Sequence, residues 1–118
     1  MAGVLLVLLS LLHSYLGEKY ILVRLFRLDH LPKIFGSDDF TKRTLRFAWH
    51  LTTIAWLGIA ALMVYIAQPN SNRVVLGNII GLIFFLHFLV AFIGSKAKHL
   101  SWIIFILITL LVTCATNL

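Results

Sequence analysis

Apolar residues are concentrated in four long stretches of the chain, and polar residues lie mainly in the connections between them. The apolar stretches cover residues 2–23, 47–67, 74–94 and 100–117. Because the hydrocarbon core of a bilayer requires about 20 apolar residues per helix, each stretch predicts one membrane-spanning helix. With their ends extended into polar residues, the predicted helices cover about 2–26, 38–67, 74–94 and 98–117.

The composition places these helices in a membrane. Hydrophobic residues make up 61% of the chain, charged residues only 12%, and the mean hydropathy is +1.01, which leaves too little polar surface for a water-soluble domain. The first stretch opens MAGVLLVLLS, without the basic start and cleavage site of a signal peptide, so we interpret it as a retained span. The sequence predicts an all-α integral membrane protein with a single domain over residues 1–118.

Lysine and arginine are distributed unevenly over the connections. Nine of the ten lie around the first and third connections, and only Arg73 lies in the second. Because short basic loops stay on the cytoplasmic side of a membrane, we expect both termini outside and the first and third loops inside, in a bacterial inner membrane. The net charge of +6 then indicates contact with anionic lipid headgroups, and no motif indicates nucleic-acid binding.

The connections also predict how the helices are arranged. In the long first connection, Pro32, Gly36 and the cluster of Ser37, Asp38 and Asp39 indicate a turn followed by a helix start. The first turns of the second helix form an amphipathic cytoplasmic lead-in, with Lys42, Arg43 and Arg46 between Phe40, Leu45 and Phe47. Because the other two connections are short, the helices are expected to form an up-down-up-down bundle.

Histidines form the main functional signal. His13 and His87 each lie in an apolar run that ends in glycine and later lysine, in the first and third helices, and His50 and His99 lie near the starts of the second and fourth. At a rise of about 1.5 Å per residue, His13 and His87 are level with one another. Four of the five histidines therefore occupy the predicted cytoplasmic half of the bilayer, in a pattern that suggests a weak internal repeat.

One hypothesis for this cluster is a b-type haem. In a four-helix bundle the first and third helices are diagonal partners, separated by about 12–14 Å, which is enough for a planar cofactor. His13 and His87 would be the axial ligands, and Arg43 and Arg46 would lie near the propionates. The predicted function is then haem-linked electron transfer.

A second hypothesis uses similar residues as ligands of a transition-metal ion, because imidazole binds zinc, copper, iron and nickel. The candidate ligands are His13, His50, His87, His99 and Glu18. The chain contains no closely spaced HxxH, HxxxH, ExxH or CxxC pair, so almost every ligand would come from a different helix.

A third hypothesis is a proton or metal-cation channel or transporter formed by an oligomer. Ionisable groups inside a membrane mark ion pathways, and polar residues of the first and fourth helices could line one. These residues are Ser10, Ser14, Thr109, Thr113 and Asn117. Gly77 and Gly81 form a GxxxG motif beside Asn78, which predicts an oligomer interface.

The remaining alternative is structural. Each histidine could be a packed group that is hydrogen-bonded to a neighbouring helix. The chain would then bind no cofactor and act as a non-catalytic scaffold subunit of a membrane complex. No nucleophile-base spacing or phosphate-binding loop indicates a stand-alone enzyme.

Overall fold

The structure is a computed structural model that describes all 118 residues, and it confirms the all-α prediction. Four helices account for nearly all of the regular structure. They are α1 (Ala2–Leu25), α2 (Asp39–Ile66), α3 (Arg73–Gly94) and α4 (Ser101–Asn117). Helices α1, α2 and α3 are long and apolar enough to cross a membrane, and α4 is apolar but shorter, with 17 residues. These properties are consistent with an integral membrane protein.

Neighbouring helices run antiparallel. In the α1–α2 pair, Gly3 lies beside Val64 at one end, and Gly17 lies beside Trp49 near the other. The same reversal of direction occurs in the α2–α3 and α3–α4 pairs, where Gly58 contacts Ile83 and Gly77 contacts Thr116. The helices therefore have the up-down-up-down order that the short connections predict.

The four helices do not close around a common core. Each helix contacts only the next helix in the chain, and the molecule measures 54 × 33 × 14 Å, so the helices form an open row about one helix thick. The expectation that the first and third helices face each other across a bundle is wrong for a single chain, because α2 lies between them. Helix α2 uses two sides, with Ala60 beside Gly3 of α1 and Gly58 beside Ile83 of α3.

An open row is physically reasonable for apolar helices in lipid. Lipid tails are as apolar as leucine, so no hydrophobic gain drives the row to curl into a bundle. Association instead depends on close packing, and the buried glycines Gly3, Gly17, Gly58, Gly77 and Gly81 allow it. Only 13 of the 118 residues are buried, and large apolar side chains are exposed on every helix.

Helix α1 changes its geometry near its end. It is α-helical over Ala2–Leu16, forms a π-helix over Gly17–Leu22 and ends in a short α-helical turn at Val23–Leu25. Backbone amides in a π-helix bond to the carbonyl five residues earlier, and such segments occur frequently at functional sites. Here the wider turn contains Glu18.

We call the two ends of the row the basic end, formed by the α1–α2 and α3–α4 connections, and the terminal end, formed by both termini and the α2–α3 turn. At the basic end the first connection turns at Phe35 and Gly36, whose φ angles are 59° and 87°. Helix α2 then begins at Asp39, and ion pairs Lys42–Asp38 and Arg43–Asp39 (3.0 Å each) span its first turns.

Helix α4 begins later than predicted, at Ser101 rather than near residue 98. The connection before it is a tight turn in which Lys96 and Ala97 have φ angles of 52° and 62°. The backbone amide of His99 donates to Ser95 Oγ (3.2 Å), so these residues are used by the turn and cannot continue the helix.

Candidate functional site

Glu18 is the centre of the largest set of polar contacts between two helices. Its carboxylate accepts hydrogen bonds from Arg46 Nη2 (2.7 Å) and Arg46 Nε (3.2 Å), and it lies 3.1 Å from His50 Nε2. Arg46 and His50 are one turn apart on α2, so both side chains point to the same part of α1. The Arg46 guanidinium also lies 4.9 Å from the ring centre of Phe26.

The contacts continue from His50 into the interior. His50 Nδ1 lies 2.8 Å from Ser14 Oγ, and Ser14 Oγ lies 2.6 Å from Thr53 Oγ1. When the neutral ring carries its proton on Nε2 and donates to Glu18, Nδ1 accepts from the Ser14 hydroxyl. The result is a continuous chain of hydrogen bonds from a carboxylate through an imidazole to two hydroxyls.

We call Ser14, Glu18, Arg46, His50 and Thr53 the Glu18 network. From Arg46 to Thr53 it covers eight residues of α2, or about 10 Å along the helix axis. Its outer members are partly exposed, with 36% of the Glu18 side chain and 31% of the His50 side chain accessible. Thr53, at the inner end, is only 7% exposed. The network therefore leads from the basic end into the packed α1–α2 interface.

An aromatic wall lies beside the network. The His13 ring stacks on the Trp49 indole, with ring centres 4.6 Å apart and planes within 3°, and its centre is 4.9 Å from that of Trp56. Trp49 Nε1 donates to the His13 carbonyl oxygen (3.0 Å). A side chain at Gly17 would overlap the Trp49 indole, so only glycine fits there. His13 Nε2 is buried and has no hydrogen-bond partner.

The other two histidines of the predicted cluster lie on the far side of α2. His87 is 8% exposed, donates from Nδ1 to the Ile83 carbonyl oxygen (2.8 Å), and its ring centre lies 5.3 Å from that of Phe105 on α4. His99 pairs locally with Ser101 Oγ (2.8 Å) and packs against Phe47. Neither ring forms a hydrogen bond with the Glu18 network.

The structure therefore does not bring together the two proposed haem ligands. His13 lies at the α1–α2 interface and His87 at the α3–α4 interface, and α1 and α3 are not in contact. Of the two arginines assigned to the propionates, Arg43 binds Asp39 and Arg46 binds Glu18. Haem binding stays a prediction, which an absorption spectrum of the purified protein with and without dithionite would test.

The proposed metal ligands are also separated. No group of three or more histidine, cysteine, aspartate or glutamate side chains is close enough to hold a metal ion. Among the predicted ligands only His50 and Glu18 meet, whereas His13, His87 and His99 have other neighbours.

The predicted polar path is divided between the two edges of the row. On α1, Ser14 belongs to the Glu18 network, whereas Ser10 donates to the Leu6 carbonyl oxygen (2.6 Å). On α4, Thr109 donates to the Phe105 carbonyl oxygen (3.0 Å). Helices α1 and α4 are not in contact. One chain therefore does not form the path that the sequence suggested.

The GxxxG motif has a partner within the same chain. Gly77 packs against Thr116 and Gly81 against Thr113, both on α4. Asn117 Nδ2 donates to Asn78 Oδ1 (2.8 Å) and to the Thr113 carbonyl oxygen (2.9 Å). Within one chain α4 covers these two glycines, and an oligomer interface at Gly77, Asn78 and Gly81 stays a prediction.

Two parts of the site were missed by sequence reasoning. The pairing of Glu18 with Arg46 and His50, and the place of Thr53 at the inner end of the network, are not among the sequence predictions. The available signal was spacing, since Ser14 and Glu18 are four residues apart on α1, and Arg46, His50 and Thr53 follow at intervals of four and three on α2.

No protein family, curated protein or solved structure matches the chain.

Proposed function

We propose that the protein spans a membrane and moves protons across it, with the Glu18 network as the proton relay of the cytoplasmic half. The observation that carries this proposal is the unbroken series of hydrogen bonds from Glu18 through His50 and Ser14 to Thr53. Ionisable groups inside a membrane mark proton and ion pathways, and histidine changes its protonation state in the physiological pH range.

The relay depends on the two nitrogens of the His50 ring. His50 accepts a proton at one ring nitrogen and releases one from the other, so a proton passes between Glu18 and Ser14 without a change in the position of the ring. The Ser14 hydroxyl, which is both donor and acceptor, passes the proton to Thr53. Arg46 holds the carboxylate in place through its two contacts with Glu18.

The charge distribution supports the orientation. Nine of the ten lysines and arginines lie at the basic end, which we place in the cytoplasm of a bacterial cell. Both termini and the α2–α3 turn are then outside. In this orientation protons enter the Glu18 network from the cytoplasm or leave through it.

The outer half of the path requires an oligomer. Between Thr53 and the terminal end, apolar residues such as Val7, Ala60 and Val64 form the α1–α2 interface. The polar residues of the terminal half, Thr109, Thr113 and Asn117, lie on α4 at the opposite edge of the row. Because Thr113 and Asn117 face α3 within one chain, the outer half of the path would be completed by polar groups of a neighbouring copy in a homo-oligomer.

Proton flux into liposomes tests the proposal. Purified protein is reconstituted at a fixed ratio of protein to lipid, a potassium diffusion potential drives protons, and a trapped pH-sensitive dye reports their entry. Because Glu18→Gln and His50→Ala remove groups that exchange protons, each is expected to reduce the flux about 10²-fold. His30→Ala is the matched control, since His30 is exposed in the first connection.

Two results would contradict the proposal. The first is a proton flux through the wild-type protein that is no greater than the flux into empty liposomes. The second is a flux through the Glu18→Gln variant that equals the flux through the wild-type protein. Circular dichroism and elution volume in detergent check that each variant keeps its helices and assembly state, so that a lost flux is assigned to the relay.

A further inference from the structure

A cavity of about 520 Å³ lies at the basic end, beside the Glu18 network and between α2 and α3. One side of it is cationic and the other is apolar. The charged residues are Lys42, Arg43 and Arg46 on α2, with the Asp39 carboxylate that pairs with Arg43 beside them, and the apolar residues are Leu89, Val90 and Ile93 on α3. Phe26 at the end of α1 lies at its rim. The volume is in the range of small-molecule binding sites, about 300–1,000 Å³.

We propose that this cavity binds one anionic phospholipid, with the phosphate among the three cations and part of an acyl chain along α3. The inference rests on membrane insertion but not on proton transport. Basic pockets between membrane helices on the cytoplasmic side are suited to anionic headgroups. The division of this cavity into a cationic and an apolar wall matches the two parts of such a lipid.

The cations keep hydrogen-bond donors for a phosphate. Lys42 pairs with Asp38 and Arg43 pairs with Asp39, in both cases through one nitrogen at 3.0 Å. A guanidinium has five N–H donors and an ammonium has three, so Arg43 uses only the Nε donor of its five in this pair. The carboxylate of Asp39 is 54% exposed, and exposed ion pairs are weak enough for a phosphate to share the cation.

The surrounding charge also favours an anion. The basic end carries nine lysines and arginines against all four acidic residues of the chain, a difference of +5. This excess of positive charge already counts all four acidic residues, so the ion pairs do not neutralise it. A phosphodiester at this end is attracted by the whole surface as well as by the three cavity residues.

The apolar wall distinguishes a lipid from a free phosphate. Val90 and Ile93 of α3 line the cavity, and the α3 backbone at Gly94 is close to Phe47 of α2, where an added Cβ would be 2.8 Å from the Phe47 Cβ. Phe47 and Gly94 both line the cavity, so the close approach of α2 and α3 lies directly beside it. Inorganic phosphate would leave Leu89, Val90 and Ile93 without a partner, whereas an acyl chain covers them.

Native mass spectrometry of the full chain in detergent tests the inference directly. The protein is incubated with phosphatidylglycerol and phosphatidylcholine of identical acyl chains, and the bound lipids are counted by mass. We expect one phosphatidylglycerol to be retained in preference to phosphatidylcholine. An excess of inorganic phosphate is expected not to displace it, and displacement would show that the cavity recognises only the phosphate group.

Matched variants separate the cavity from general surface charge. Lys42→Gln with Arg43→Gln is expected to weaken phosphatidylglycerol binding about tenfold or more. Lys96→Gln with Lys98→Gln removes the same charge from the same end but outside the cavity, so it should have a much smaller effect. Val90→Phe keeps every charge and fills the apolar side, and it should also reduce retention.

Equal losses in the two double variants would overturn the inference, because general electrostatics would then explain the binding. Unchanged retention in Val90→Phe, with the helical content preserved, would also overturn it. Lipid binding is measured without a proton gradient, so its failure is distinguishable from a failure of proton flux.

Discussion

The α1–α2 and α3–α4 interfaces contain similar residues but use them differently. Each has a histidine on its first helix, and a second histidine close to the basic end. At α1–α2, His50 and Ser14 form hydrogen bonds between helices, and these bonds reach Glu18 and Thr53. At α3–α4, by contrast, the polar side chains mainly bond to their own helix or turn.

The second interface shows this local satisfaction at several positions. His87 bonds to the Ile83 carbonyl oxygen, Thr109 to the Phe105 carbonyl oxygen and Thr116 to the Val112 carbonyl oxygen. Aromatic contacts then link the helices, for example between His87 and Phe105. A histidine in an apolar helix is thus compatible with simple packing, and its presence alone does not define a site.

The residue that follows the last glycine of α1 and of α3 accounts for much of the difference between the two interfaces. The end of α1 reads Gly17-Glu18-Lys19, and the corresponding end of α3 reads Gly94-Ser95-Lys96. Glu18 reaches across to two side chains of α2, whereas Ser95 is completely buried and donates to the Ala91 carbonyl oxygen (2.6 Å). The Glu18 carboxylate therefore connects α1 to α2, whereas the Ser95 hydroxyl bonds to the backbone at the end of its own helix.

The largest expected difference is between two glycine positions, Gly17 at the α1–α2 interface and Gly81 at the α3–α4 interface. Gly17→Ala places a methyl group inside the Trp49 indole, so we expect it to lower the free energy of unfolding by about 3 kcal/mol. At Gly81 the added Cβ would meet only the Thr113 hydroxyl, at 2.9 Å. Gly81→Ala should therefore cost about 1 kcal/mol or less. Denaturant unfolding in detergent measures both, and an equal loss would contradict the proposed difference.

The next comparison concerns the serines that contact histidines. Ser14→Ala leaves both His50 Nδ1 and Thr53 Oγ1 without their shared partner, and we expect a loss of about 2 kcal/mol. Ser101→Ala removes a local contact with His99 at the start of α4, with an expected loss of about 0.5–1 kcal/mol. If thermal unfolding shows that Ser101→Ala is more destabilising than Ser14→Ala, the bonds of Ser14 between helices are weaker than the local contact of Ser101, contrary to the prediction.

The smallest effect is expected at the terminal end of α3–α4. Asn117→Ala removes the one bond between polar side chains of these helices, to Asn78. Such bonds between membrane helices contribute about 0.6 kcal/mol on average. A loss above about 2 kcal/mol in the same assay would show that the α3–α4 interface also depends on polar contacts between helices.

The sequence predicted the helices because the apolar pattern is local. The predicted starts and ends agree with the structure within a few residues, except where the turn at Lys96 and Ala97 delays α4. The open row could not be predicted in the same way. It depends on α2 packing through two different sides, and one helix's periodicity does not reveal how many neighbours that helix has.

The site was predictable only in part for a similar reason. Helical periodicity indicates which residues of one helix share a face, for example His13 with Gly17 on α1 and Arg46 with His50 on α2. It could not choose between a partner on α3 and one on α2, because that choice is made by the packing of whole helices. Predicting the haem pair required the arrangement of all four helices, whereas predicting the contact of Glu18 with His50 required only the packing of α1 against α2.

The π-helix in α1 contains one extra residue in its turn, so it shifts by one residue the set of α1 side chains that face α2. Gly3, Ser10 and Gly17 are buried at intervals of seven residues, and continuing that interval would bring Arg24 to the α2 interface. The next buried residue is instead Leu22, five positions after Gly17, and Arg24 is exposed. Five residues correspond to the hydrogen-bond spacing of a π-helix. A single extra residue in one turn therefore keeps the Arg24 side chain out of the α1–α2 interface, where Leu22 is buried instead.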